Sequence, residues 1–233
     1  MGTRTDMSQT STLLQLTDSA LPTGAFSHSF GIEAYLETGE VSDETTLLAW
    51  LEGFLATQLT RTDAVAIRRA HAASRTEGIA GIEALDAELT ALLIPAQIRA
   101  ASLKMGRRLL EIAREAFPST VVEEYSSAVA DGRCRGHHAV AFALGGAGQG
   151  LDEETLVEAY LYSTLTSLTY NAVRAIPLGQ LAGQRVLATL RAKVPAAVVR
   201  SRTADPRHFG AAAPALEIHQ MRHEHQRARL FMS

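Results

Sequence analysis

Few residues in this sequence have both the type and the setting for chemistry, and the most conspicuous are Ser27, His28 and Ser29. They stand in DSALPTGAFSHSFGIEAYLETG, among Asp18, Pro22, Gly24 and Gly31. A serine beside a histidine suggests a nucleophile with its base. Side chains on adjacent residues diverge, however, and no G-x-S-x-G elbow is present to expose a hydroxyl on a strained turn. Architecture is the alternative: Pro22, Gly24 and Gly31 shape a turn, and Ser27 or Ser29 caps the helix that carries Gly31 to Leu36. A histidine there also supplies an imidazole whose charge can change near neutral pH or that can touch a metal.

Metal chemistry has its candidates near the end of the sequence. His219 and His223 are four apart and would share one helix face at ligand spacing. His225 would face elsewhere, and of the adjacent His137 and His138 at most one could join a given site. Glu224 does not stand at the spacing of an HExxH motif. A tight site needs a third or fourth ligand, so no resident metal is expected. The run GGAGQG at 145–150 has the look of a phosphate loop, but it continues Leu151-Asp152 rather than Gly-Lys-Ser/Thr. The segment before it reads as helix, not strand, which also excludes the dinucleotide fingerprint. A helix end followed by a loop is the reading.

These residues sit in a chain of 233, with 46% hydrophobic and 20% charged residues, the composition of a globular protein. A net charge of -3 offers no field for a polyanion, so nucleic acid is not expected as a partner. The only lysines are Lys104 and Lys193; arginine, suited to bidentate and interfacial contacts, carries the rest of the positive charge. One cysteine, Cys134, excludes an internal disulfide and fits a reducing, cytoplasmic setting. No apolar run approaches the roughly 20 residues of a membrane span, and the opening residues have no apolar signal core. No linker divides the sequence, so residues 1–233 read as a single domain, with 1–10 flexible.

The elements that must position these groups are helices. In QIRAASLKMGRRLLEIAREAF, Ile98, Ala101, Met105, Leu109, Ile112 and Ala116 draw one apolar stripe, with Pro95 before it and Pro118 beyond. Arg107 and Glu111 form an i,i+4 pair on the other face. Gly106, in mid-helix, costs about 1 kcal/mol against alanine, which implies that something approaches the helix backbone closely there. Ser42 with Thr45 or Thr46 opens a second helix, Thr62 caps DAVAIRRAHAAS, and Asp152 with Thr155 opens a helix from about 154 to 176. That helix buries Val157, Leu161, Leu165, Leu168, Ala172 and Ala175. Along a second face run Tyr160, Ser163, Ser167, Asn171 and Arg174, suited to close helix approach or to a partner. Pro177 breaks it. VVEEY and AAVVR, the only β-branched clusters, lie in alanine-rich helical surroundings. The fold is therefore all-α, bundle-like, with about nine or ten helices.

The opening segment, together with RAASLKMGRRLL, YNAVRAIPLGQLAGQRVL and LEIHQMRHEHQRARLFMS, resembles the conserved blocks of the urease accessory protein UreF family, in order, from about residue 13 onward. The resemblance implies a non-catalytic, all-helical scaffold that pairs with itself as a homodimer, binds UreD (UreH in some systems) and recruits the GTPase UreG. Nickel is then handled by the assembled complex, which loads apo-urease, and GTP is bound by UreG. This chain would need no cofactor of its own and no membrane. The residues that the resemblance assigns to partner binding are Ser27, His28, Ser29, Glu33, Asn171, Arg174, Gln180, His223, Glu224, Arg229, Leu230 and Phe231. Asp18, Pro22, Gly24, Gly31, Pro177 and Gly179 serve as structural turns. Residues 203–233 form a partner-binding tail; its apolar Leu216, Ile218, Met221, Leu230 and Phe231, interleaved with His223, Glu224, Arg227 and Arg229, suit a helix from Glu217 to Phe231 that is mobile in the free protein and orders on a partner, and Arg229 matches the terminal arginine of the family. A nickel-carrying metallochaperone using the C-terminal histidines is the alternative, and a hydrolase using His28 a third reading.

Overall fold

The computed structural model describes residues 3–210, 213–226 and 229–233, with backbone only for residues 3–6. Among them there are eleven α-helices and no strand. They are α1 (Thr3–Leu16), α2 (Ile32–Glu37), α3 (Glu44–Phe54), α4 (Ala64–Thr76), α5 (Gly78–Leu92), α6 (Ala96–Ala116), α7 (Thr120–Ala130), α8 (His138–Ala147), α9 (Glu153–Ala175), α10 (Gln180–Arg202) and α11 (Pro214–His223). The fold is all-α. Residues 3–10, expected as a flexible lead, are helical within α1, while Met1 and Gly2 lie outside the described residues.

The packing follows from the apolar content of α8. Every residue from Ala139 to Gly146 is buried, so this helix has no polar face to turn to water and must be surrounded. Helices α6 and α4 flank it, and α1, α7 and α9 complete the ring. Gly106 of α6 makes one of these approaches possible. A Cβ there would lie 2.1 Å from the Gly136 carbonyl oxygen, so the loop entering α8 rests directly on the α6 backbone. Helix α10 lies along α9, and α11 lies on α2.

Local chemistry sets the ends. Asp152 caps α9, accepting from Thr155 N at 3.0 Å. The cap of α3 is Asp43 rather than Ser42: it accepts from Thr46 N while the Thr46 hydroxyl returns to the Asp43 N–H. Thr62 is no cap. The chain passes from α3 into α4 without a break through a π-helical stretch, Leu55–Asp63, so α3 and α4 form one rod. The Thr62 hydroxyl is buried there without a hydrogen-bond partner. On α6 the ion pair is Arg108–Glu111 at 2.5 Å; Arg107, assigned to it from spacing, instead donates to the Arg135 carbonyl. The buried stripe continues through Leu110 and Ala113 in place of Ile112 and Ala116. The 145–150 run is the end of α8 and the loop after it.

Candidate functional site

The residues singled out near both ends of the sequence meet at one place. The turn after α1 starts with Asp18, whose carboxylate accepts from Ala20 N at 2.8 Å. Past Pro22, Gly24 adopts φ +85° and opens a 3-10 turn, Ala25–Ser27. Phe30 has φ +52° and Gly31 φ +97°, two successive left-handed residues that swing the chain into α2. Gly31 itself is the N-cap, so neither Ser27 nor Ser29 caps this helix. A Cβ on Gly31 would stand 2.6 Å from Cγ of Gln220, so the glycine admits α11 as well as the turn.

Successive left-handed residues aim main-chain N–H groups into one concavity. Ser29 N and Phe30 N both donate to the Ser233 main-chain oxygen, at 2.5 and 3.1 Å, and the Ser29 hydroxyl donates to the same atom. His28 Nδ1 is 2.8 Å from the Ser233 hydroxyl, and Met232 N donates to the Ser27 carbonyl at 2.8 Å. Burial, with Lys104 nearby, pushes the His28 imidazole down to about 4, which keeps it uncharged at neutral pH. Its carbonyl accepts from Asn171 of α9 at 2.9 Å.

Glu33 completes the junction from α2. It is buried, and its carboxylate accepts from the Leu230 and Phe231 N–H groups while standing 2.7 Å from His223 Nε2. His223 is fully buried, with Nδ1 2.8 Å from Gln97 Oε1. A buried carboxylate is tolerated only when its lone pairs are matched in this way. Gln220 ties α11 to the turn by donating to the Phe30 carbonyl at 3.0 Å.

Residues 229–233 are consequently held outside any helix, bent at Leu230 and Phe231, with Phe231 and Ser233 buried and Arg229, Leu230 and Met232 exposed. Phe231 is 5% exposed and Leu230 72% exposed, so the first anchors and the second is presented. Phe231 lies under the Arg174 guanidinium, 5.4 Å from ring centroid to Cζ. Arg229, Met232 and Phe26 are exposed, and Lys104 Nζ approaches the Met232 sulfur at 3.7 Å. The outcome is an apolar patch edged by cations.

Of the expected partner residues, Ser27, His28, Ser29, Glu33, Asn171, Arg174, His223, Leu230 and Phe231 gather here. His28, Ser29, Glu33, Asn171, His223 and Phe231 are buried and act through the segment they hold. Glu224 is exposed beyond α11, and Gln180 is exposed where α10 begins, after Pro177 and the N-cap Gly179. The expected helix over 217–231 is corrected: α11 ends at His223, because residues 230 and 231 spend their N–H groups on Glu33. Arg227 lies outside the described residues. His219 and His223 point to different partners. His219 stacks on Tyr35 at 3.9 Å with Nδ1 donating to the Ala215 carbonyl, whereas His223 is held by Glu33 and Gln97. Among the described residues no group of three or more His, Cys, Asp or Glu could hold a metal ion.

Comparison with known proteins decides the family. The UreF family model matches residues 41–191. Urease accessory protein UreF of Arthrobacter sp. strain FB24 is 53% identical over 95% of this chain and 96% of its own. The chain belongs to the UreF family of urease accessory proteins. Its counterpart in Paenarthrobacter aurescens is 50% identical over the same shares, and that of Corynebacterium efficiens 43% over 98% of this chain and 99% of its own.

Gln97, Gln220, Lys104 and Ser233 also belong to this site, none of them expected from the sequence. Gln220 had a signal: an amide at the spacing of Leu216 on α11, hence on its buried side. The others come from segments that nothing in the sequence brings together.

Proposed function

We propose that this UreF-family chain is a non-catalytic scaffold of urease maturation, a single domain that pairs with itself. It binds UreD (UreH) and recruits the GTPase UreG, and that assembly delivers nickel to apo-urease. Nickel is cargo of the complex and GTP is the ligand of UreG, so the chain carries no cofactor. The setting is cytoplasmic, in keeping with a single, buried cysteine. No helix of the described residues is long and apolar enough to cross a membrane.

The observation that carries the reading is the convergence of the turn and the tail. Buried groups from α2, α9 and α11 fix a short non-helical segment whose Arg229, Leu230 and Met232 are exposed. That is the construction of a recognition surface: aromatic anchor within, apolar and arginine contacts without. A partner that offers apolar residues ringed by carboxylates fits it. The test is reconstitution of urease activity from apo-urease, UreD, UreG, nickel and GTP. Activity is expected to require this chain, and activation at an undiminished rate without it would refute the role. Equilibrium dialysis with nickel is expected to find no tight stoichiometric binding by the isolated chain.

A further inference from the structure

Behind the turn lies a cavity of about 510 Å³, which shares Phe30, Asn171 and Arg174 with the site of the tail and extends beyond it between the Leu55–Asp63 stretch, α6, α8 and α9. Its walls include Leu59, Met105, Phe30, Phe54 and Phe142 beside polar residues, Arg174 among them, and Asp63, Tyr160 and His138 form one hydrogen-bonded chain in it. Tyr160 OH donates to Asp63 Oδ1 at 3.1 Å, and His138 Nδ1 stands 3.2 Å from the Tyr160 oxygen. With the hydroxyl proton committed to the carboxylate, His138 must donate from Nδ1, which leaves Nε2 as a bare acceptor. No hydrogen bond reaches Nε2 among the described residues.

Asp63 is the unusual member. It is half-buried against the cavity, and its other carboxylate oxygen accepts from Gln58 at 3.2 Å. No cation pairs with it among the described residues, and burial pushes its carboxyl up to about 6, so it still carries charge above neutrality. It ends the π-helical stretch Leu55–Asp63, a geometry rare in proteins and frequent at functional sites. An uncompensated carboxylate, a bare imidazole nitrogen and several aromatic faces in one cavity are the elements of cation recognition.

We infer that this cavity binds an organic ammonium: a protonated primary amine whose N–H groups meet Asp63 and His138 Nε2 and whose hydrocarbon body lies against the phenylalanines. A metal ion fits less well. It would need four to six donor atoms, and the described residues hold no group of three or more ligating side chains. The apolar walls would also strip water from a bare ion without replacing it, whereas an alkylammonium brings its own apolar cover.

Isothermal titration of the full chain at pH 7.5 tests this, with hexylammonium, 1-hexanol, hexanoate and nickel chloride as separate titrants. Hexylammonium is expected to bind saturably at one per chain, hexanol at least about tenfold more weakly, and hexanoate and nickel not at this site. Asp63→Asn is expected to weaken the amine by about tenfold or more. Should that variant fail to fold, Ala159→Phe, which fills the cavity from α9, is expected to abolish amine binding. Absence of saturable amine binding, equal affinity for hexanol, binding of hexanoate, displacement of the amine by nickel, or undiminished binding by Asp63→Asn would each overturn the inference.

Discussion

Two buried carboxylates in this molecule capture main chain in the same way and to different ends. Asp86 of α5 accepts from Arg135 N at 2.6 Å, Gly136 N at 3.1 Å and Tyr125 OH at 2.5 Å. Glu33 of α2 accepts from Leu230 and Phe231 N–H groups and faces His223. The segment that Asp86 holds turns inward: Cys134, Gly136 and His137 are buried, and His137 is hydrogen-bonded by Thr90 and Ser102. The segment that Glu33 holds is buried at Phe231 and Ser233 but bare at Arg229, Leu230 and Met232. One carboxylate therefore staples helices together, and the other displays a strip of chain.

The sharpest way to break this comparison is to remove each carboxylate. Asp86→Ala leaves a buried phenol and two N–H groups unsatisfied, which should cost about 3–5 kcal/mol of global stability in urea unfolding. Glu33→Ala is expected to cost about 3 kcal/mol but locally. Hydrogen exchange should accelerate at residues 230 and 231 far more than in α8, and a uniform acceleration would make Glu33 a second staple.

Asp63 sharpens the contrast as a carboxylate that captures no main chain of another segment, only the side chains of Gln58 and Tyr160. Its native carboxyl lies near 6 against an ordinary 3.8, so its contribution to stability is full below pH 4 and is lost as pH rises through 6. Asp63→Asn should therefore raise stability by roughly 2–3 kcal/mol at pH 8, the gain vanishing near pH 4. His28 and His138, each pushed down to about 4 by burial, titrate in the opposite sense and cancel in the difference between variant and parent. The smallest effect is expected for Arg174→Ala, about 0.5–1 kcal/mol from the lost contact with Phe231, with helical content unchanged by circular dichroism.

What was legible in the sequence depended on local rules. The stripe of α6, the Asp152 cap and the close approach at Gly106 were readable because periodicity, capping and glycine cost act within a few residues. The face of Tyr160, Ser163, Ser167, Asn171 and Arg174 was readable too, and it lines the cavity rather than open water. The π-helical stretch was not: a change from i→i−4 to i→i−5 pairing has no residue signature, and Thr62 looked like a cap. Nor was the role of Glu33, which as an acidic residue in the first turn of a helix matches any dipole-favoured position. Its partners lie 190 or more residues away. The tail misled because its histidines, arginines and apolar residues suit a helix, while the N–H acceptors that hold it out of one come from α2 and the turn.

If the turn presents the tail to UreG, as proposed, co-purification of UreG with this chain and UreD depends on the exposed side chains of Arg229, Leu230 and Met232. Arg229→Ala should keep the melting temperature of the parent, since its side chain is exposed, and reduce UreG recovery by about tenfold, the loss of one charge-assisted contact. Recovery of UreG at the parental level by a folded Arg229→Ala chain would contradict the account.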